Sequence, residues 1–319
     1  MERVSIDLIN CIRDHINRSE KQINLLSDLN KWCRLTSALD VLEDASYAIN
    51  YYCDNPYPDV TSGKYLYTYG LLQAFFMLED AINSINISLF DEEIDFRKDY
   101  PNANEVRQMR NDILHPTLRG KDNYIYLAQC SLGKEGFYYI KENGTDGSYA
   151  SHDVNVYAAI NDVAVCINAV LSLAIKRLNN EFRDYLRMHK DRKMKEIFSN
   201  LHYAREKALL ETGTYMGQYG YDATKAMVEK VEEELAARYG TPDSIDTYKY
   251  LLEDIHEIYS LIDSGLERIP SDIIAAIKKN LLENLFHKLE ELEKCCSEID
   301  EYFEECDRQF DVSENGDEV

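Results

Sequence analysis

Helix breakers are scarce in this chain: 6 prolines and 13 glycines are spread over 319 residues. So low a content excludes collagen-like and linker-rich classes and favours long helices. Membrane-length apolar runs are missing as well. The longest apolar region, 163–175, is interrupted by Asn168 and Ser172 and falls short of the roughly 18 residues a span requires. Residues 1–7 carry charge from the second position onward and no apolar core of the signal-peptide kind. The expectation is a cytoplasmic chain that does not enter a membrane. No pair of cysteines stands at CxxC spacing, no Gly-rich phosphate loop occurs, and no GxGxxG run is found. The eight cysteines are scattered through apolar patterns, with Cys295 and Cys296 adjacent. They read as reduced, small hydrophobes. Neither a metal nor an organic cofactor is expected.

Positive charge is also in short supply. Lys and Arg number 35 against 58 acids, for a net charge of −23. The acid is concentrated: residues 281–319 hold 14 acidic and 3 basic side chains, −11 of the total. A generic grip on long nucleic acid is excluded by that balance, but a local basic site is not.

The chain has enough apolar residues, 45%, for a real core. Periodicity predicts helices over 4–23, 32–52, 65–89 and about 102–114. Aromatic and β-branched residues at 123–130 and 137–141, with Gly133 and Gly136 between them, predict a β-hairpin over about 123–141. A loop over 143–152 and one long helix over 154–190 follow. Further helices are expected over 196–210, 222–239 and 244–262, with a Gly- and Tyr-rich break at 212–220. Apolar residues from Ile274 to Phe303 recur at spacings of three and four, which predicts a long amphipathic, coiled-coil-like helix. The fold class is therefore mainly all-α: a helical domain over 1–190, a C-terminal helical domain over 191–310, and an acidic tail over 311–319.

One run stands out for chemistry: Arg110-Asn111-Asp112-Ile113-Leu114-His115-Pro116. A residue before proline is pushed out of the α region, so a helix should release the chain at His115. The run, with long helices before and after it, resembles the HEPN family of helical nucleotide-binding domains. Its nuclease members carry arginine, a polar residue, then histidine a few positions later. The resemblance covers about the first 190 residues. It implies a helical bundle that works as a homodimer, two Arg/His sets meeting in one cleft to cut RNA without a metal. His115 would be general acid or base, Arg110 would hold the scissile phosphate, and Asn111 would orient it. Arg107, Arg119 and Lys121 are candidate contacts to the RNA backbone. The resemblance further suggests a toxin or anti-phage defence role, with an antitoxin or sensor protein as a possible partner. The same loose spacing recurs at Arg183 and His189, but there no proline ends the helix. The basic run 187–195 could touch RNA, although a solvated helix end explains it equally. The alternative to catalysis is a helical dimerisation or interaction protein in which Arg110 and His115 are structural.

Overall fold

The computed structural model describes residues 1–114, 123–210, 214–240, 246–264 and 271–316. Among the described residues helix takes 79% and strand 7%, so the protein is mainly α. Packing divides it into two compact units: Met1–Arg18 with Leu25–Leu178, and Ser19–Asn24 with Asn179–Val319. The division falls inside a continuous helix, rather than at the basic run near residue 190.

The first unit opens with α1 (Ile6–Ile16), capped by Ser5, whose hydroxyl accepts from Leu8 N. Helix was expected without interruption over 4–23. Instead Asn17 closes α1, donating its N–H to Arg13 O at 3.0 Å, and α2 (Ser19–Leu26) starts anew. Asp28 caps α3 (Leu29–Asp54), which joins α4 (Thr61–Phe90) through a turn containing Pro56 and Pro58. The two helices run antiparallel. Lys31 at the start of α3 meets Asp91 just beyond α4 at 2.8 Å, while Tyr52, Tyr57 and Tyr67 cluster at the other end. A single turn, α5 (Phe96–Asp99), leads to α6 (Pro101–Leu114). Proline sits at the first helical position, where no N–H is needed.

The expected hairpin is a three-stranded antiparallel sheet, β1 (Asn123–Leu127), β2 (Gly136–Asn143) and β3 (Tyr149–Asn155), in the order β1-β2-β3. The third strand was expected as loop. Its residues are exposed almost throughout, so no inside–outside alternation marks it. Gly136 is required by close approach: a Cβ there would stand 2.6 Å from Val154 O on β3.

Next comes α7 (Val156–His189). Its Asn168 is the polar interruption in the apolar run, and it ties down the N-terminus. Its side chain accepts from Ser5 N and donates to Arg3 O, both at 2.9 Å. The helical stretch Val156–Leu210 nevertheless holds an 18-residue window long and apolar enough to cross a membrane, contrary to the expectation that none exists. The window tolerates isolated polar residues, and half of it is buried within the protein. Val163, Ile167 and Leu171 of α7 belong to the first unit's core with Leu35, Leu39, Leu72, Phe75 and Ile82.

In the second unit a 3-10 turn (Met194–Phe198) precedes α8 (Leu201–Leu210), α9 (Tyr215–Tyr239), α10 (Asp246–Ser264) and α11 (Ser271–Gly316). Within the expected break at 212–220, residues 215–220 are helix, and 212 and 213 lie outside the described residues. Gly220 acts there as a contact residue, because a Cβ would lie 2.7 Å from Ala204 O and 2.8 Å from Ala208 N of α8. On α11 the buried residues Leu285, Leu289, Leu292, Cys296, Ile299 and Phe303 are the stripe expected from spacing.

Candidate functional site

Arg110 lies just before the last turn of α6, on the face turned toward α4, with Ala103, Val106 and Ile113. Four-residue spacing puts Val106 and Arg110 on one stripe, so the arginine is carried into the interior and is only 4% exposed. Beneath it stands Glu79 of α4, equally buried. Arg110 Nη2 donates to Glu79 Oε2 at 3.4 Å, and the guanidinium lies 4.6 Å from the centre of the Phe76 ring. Arg107, one turn earlier and half-exposed, brings its Nε to 3.9 Å from the same carboxylate oxygen and sits over Phe96 at 5.4 Å. One acid is thus shared by two arginines from one helix.

The electrostatics follow from burial. Desolvation pushes the Glu79 carboxyl up to about 7, against the pull of Arg110 and then Arg107. Glu79 Oε1 has no hydrogen-bond partner among the described residues. The Cys166 thiol is pushed up to about 12, first by its own burial and then by Glu79, and remains protonated. Asn111 is half-buried, and Asp112 is 3.9 Å from Lys141 of β2.

Of the residues expected to form the site, Arg107, Arg110 and Asn111 share α6. His115, Arg119 and Lys121 lie outside the described residues, so the distance from Arg110 to His115 is not part of this geometry. Glu79 was not anticipated. The signal was legible: it is a charged residue on the buried stripe Phe75, Leu78, Ile82 and Ile85, where a charge needs a partner.

The second loose motif has a different character. His189 is 6% exposed, and burial followed by Arg238 and Arg192 pushes it down to about 4, so it is neutral near pH 7. Arg183 packs over Phe310 at 5.0 Å. Four of the five basic residues of the run around it are paired with acids: Arg187 meets Asp184 at 3.4 Å, Lys190 meets Asp307 at 2.6 Å, Arg192 meets Glu234 at 3.5 Å and Lys193 meets Glu304 at 2.5 Å. A stretch so paired offers little free charge to RNA. Tyr65 stacks on Tyr69, and Tyr67 turns to Tyr51, Tyr52 and Tyr57.

No family model matches the chain, and no curated protein or solved structure is significantly similar to it.

Proposed function

We propose that the protein is a metal-independent endoribonuclease whose site is made by two copies of the chain, each contributing Arg110, Asn111 and His115. The observation that carries this reading is the station of Arg110. Near the C-terminal end of α6 the Arg110 guanidinium is held by the buried carboxylate of Glu79 on α4, and His115 stands five positions further along the sequence. Burying a charged pair costs several kcal/mol of desolvation unless the geometry repays it, and fixing an arginine for phosphate is one use that justifies the cost.

In this mechanism one His115 takes the proton from a ribose 2′-OH, and the oxygen attacks the adjacent phosphorus. The bond to the 5′-oxygen breaks, and the partner copy's histidine returns a proton to it. The products are a cyclic 2′,3′-phosphate and a free 5′-hydroxyl. Arg110 carries the charge that builds on the phosphoryl oxygens, while Asn111 orients the group. Arg107, Arg119 and Lys121 follow the backbone of the RNA. We place the enzyme in the cytoplasm, in a toxin–antitoxin or anti-phage setting, where an antitoxin or sensor protein would keep it silent.

The test compares total RNA after expression of wild type, Arg110→Ala and His115→Ala. Wild type should degrade RNA, and each variant should lose about a hundredfold or more of the rate. Intact RNA in all three under activating conditions, or equal cleavage by His115→Ala, sinks the proposal.

A second reading has an observation in its favour. Arg110 is 4% exposed and bound to Glu79 and Phe76 within its own chain, as a structural cation would be. In that reading the protein is a helical dimerisation module. Arg110→Ala would then lower stability, and His115→Ala would change nothing in RNA or in fold.

A further inference from the structure

Within the second unit is a cavity of about 310 Å³ that the Arg110 reading does not use. Leu186 and Phe303 give it an apolar wall, and Arg238, His189 and Asp300 give it a polar one. All three polar residues are buried, at 4%, 6% and 7% exposure.

Their partners account for some of their polar atoms but not all. Asp300 is satisfied by the backbone, its carboxylate accepting from Met194 N at 3.1 Å and Lys195 N at 2.9 Å. Arg238 donates from Nη2 to the Arg192 carbonyl, and its guanidinium covers Phe303 at 4.6 Å. The nearest acids stand back: Asp300 Oδ1 and Glu234 Oε2 are each 4.0 Å away. Arg238 Nη1 has no hydrogen-bond partner among the described residues, and the same holds for His189 Nδ1. A buried guanidinium with loose counter-charges and an orphan donor is costly in a folded protein. Both orphaned residues line this one cavity.

We infer that the cavity binds a small carboxylate, with Arg238 Nη1 as the charged donor and His189 Nδ1 as a second N–H. Burial and the neighbouring arginines keep the ring neutral near pH 7, and it can present its proton at Nδ1. Charge sets the class of ligand. Four acids, Asp191, Asp300, Glu304 and Asp307, lie around the wall against three cations, Lys190, Lys193 and Arg238. Only one of those cations lacks a close acid, so one negative charge is accommodated and a phosphate dianion is not. The apolar wall matches a hydrocarbon body behind the carboxylate. The ion pairs Lys190–Asp307 at 2.6 Å and Lys193–Glu304 at 2.5 Å, among residues lining the cavity, join the segment after α7 to α11.

The experiment uses the full chain and two probes, benzoate and inorganic phosphate, against chloride at matched ionic strength. Histidine ring resonances are followed by NMR, with His189 assigned through His189→Gln. Benzoate should shift the His189 signal saturably and raise its pKa, because a bound anion favours imidazolium. Calorimetric affinity for benzoate should fall about tenfold or more in Arg238→Gln. Should that variant misfold, His189→Gln must weaken benzoate binding instead. A His189 signal that benzoate leaves where chloride does overturns the inference, as does benzoate affinity undiminished in a folded Arg238→Gln. A larger response to phosphate than to benzoate overturns the choice of carboxylate.

Discussion

A buried carboxylate between two arginines is a question of pH as much as of contact. Glu79 has its pKa raised to about 7 from 4.5. Between those values the folded state binds more protons than the unfolded one, so the Glu79 contribution to stability declines as pH rises through that window. In Glu79→Gln this part of the pH dependence should vanish, read by urea unfolding across about pH 5 to 8. The same carboxyl decides what loss of Arg110 does. Above its pKa, Arg110→Ala leaves the buried charge to the half-exposed Arg107 alone, for a cost of up to about 3–5 kcal/mol. Below it the carboxyl is protonated, so the cost should be clearly smaller at about pH 5.5 than at about pH 8.5. Equal cost at both values would mean that Glu79 is ionised throughout and that desolvation does not win.

The residue scale is also where the sequence was least legible. Arg110 stood out because a proline follows close behind it, but its partner is 31 positions away on another helix. Asp300 lies more than a hundred positions from the Met194 and Lys195 amides it caps. Such pairs leave only an indirect trace, a charge on a stripe of otherwise buried positions, as at Glu79, Arg238 and Asp300. The stripe tells that a partner exists, not which.

Elements were read more fully because their causes are local. The stripe of α11 and the lengths of α3, α4 and α7 follow from three- and four-residue spacing that tertiary packing did not override. Failures came where local rules had two outcomes. Gly217 and Gly220 read as breakers, yet Gly220 serves the crossing of α8 and α9. Gly220→Ala should therefore destabilise by about 1–3 kcal/mol through overpacking, although alanine is the better helix former. A thermal melt settles it, since a higher melting temperature would show that the two helices can part at no cost. For α7, composition alone permits a membrane span while burial says core. Leu171 is fully buried and Leu173 is 58% exposed. Leu171→Ala should cost about 2–5 kcal/mol, whereas Leu173→Ser should stay within about 0.5 kcal/mol. A lipid-facing helix would instead be disturbed by the serine, seen as loss of membrane-fraction protein for Leu173→Ser alone.

At the scale of the whole molecule, the large negative charge is less hostile to RNA than its sum suggests. Part of the acid on α11 is spent within its own unit on Lys190, Lys193 and Arg205. What remains still argues against one chain acting as a general RNA binder, and the proposed chemistry needs two histidines, one accepting and one returning a proton. That requirement makes the order of the reaction a direct probe. If the site is composite, dilution below the dimer dissociation constant should lower the cleavage rate as the square of concentration, about a hundredfold for each tenfold dilution. An excess of His115→Ala chain should also suppress the wild type, because most wild-type chains would then be paired with a copy lacking the second proton carrier. Cleavage of a fluorogenic oligoribonucleotide measures both effects. First-order dilution, with wild-type activity untouched by the inactive chain, would show that one copy holds all the chemistry. The second proton carrier would then have to be sought in the same chain, where the buried carboxyl of Glu79, bound to Arg110 and with its raised pKa, is a group able to exchange a proton near neutrality.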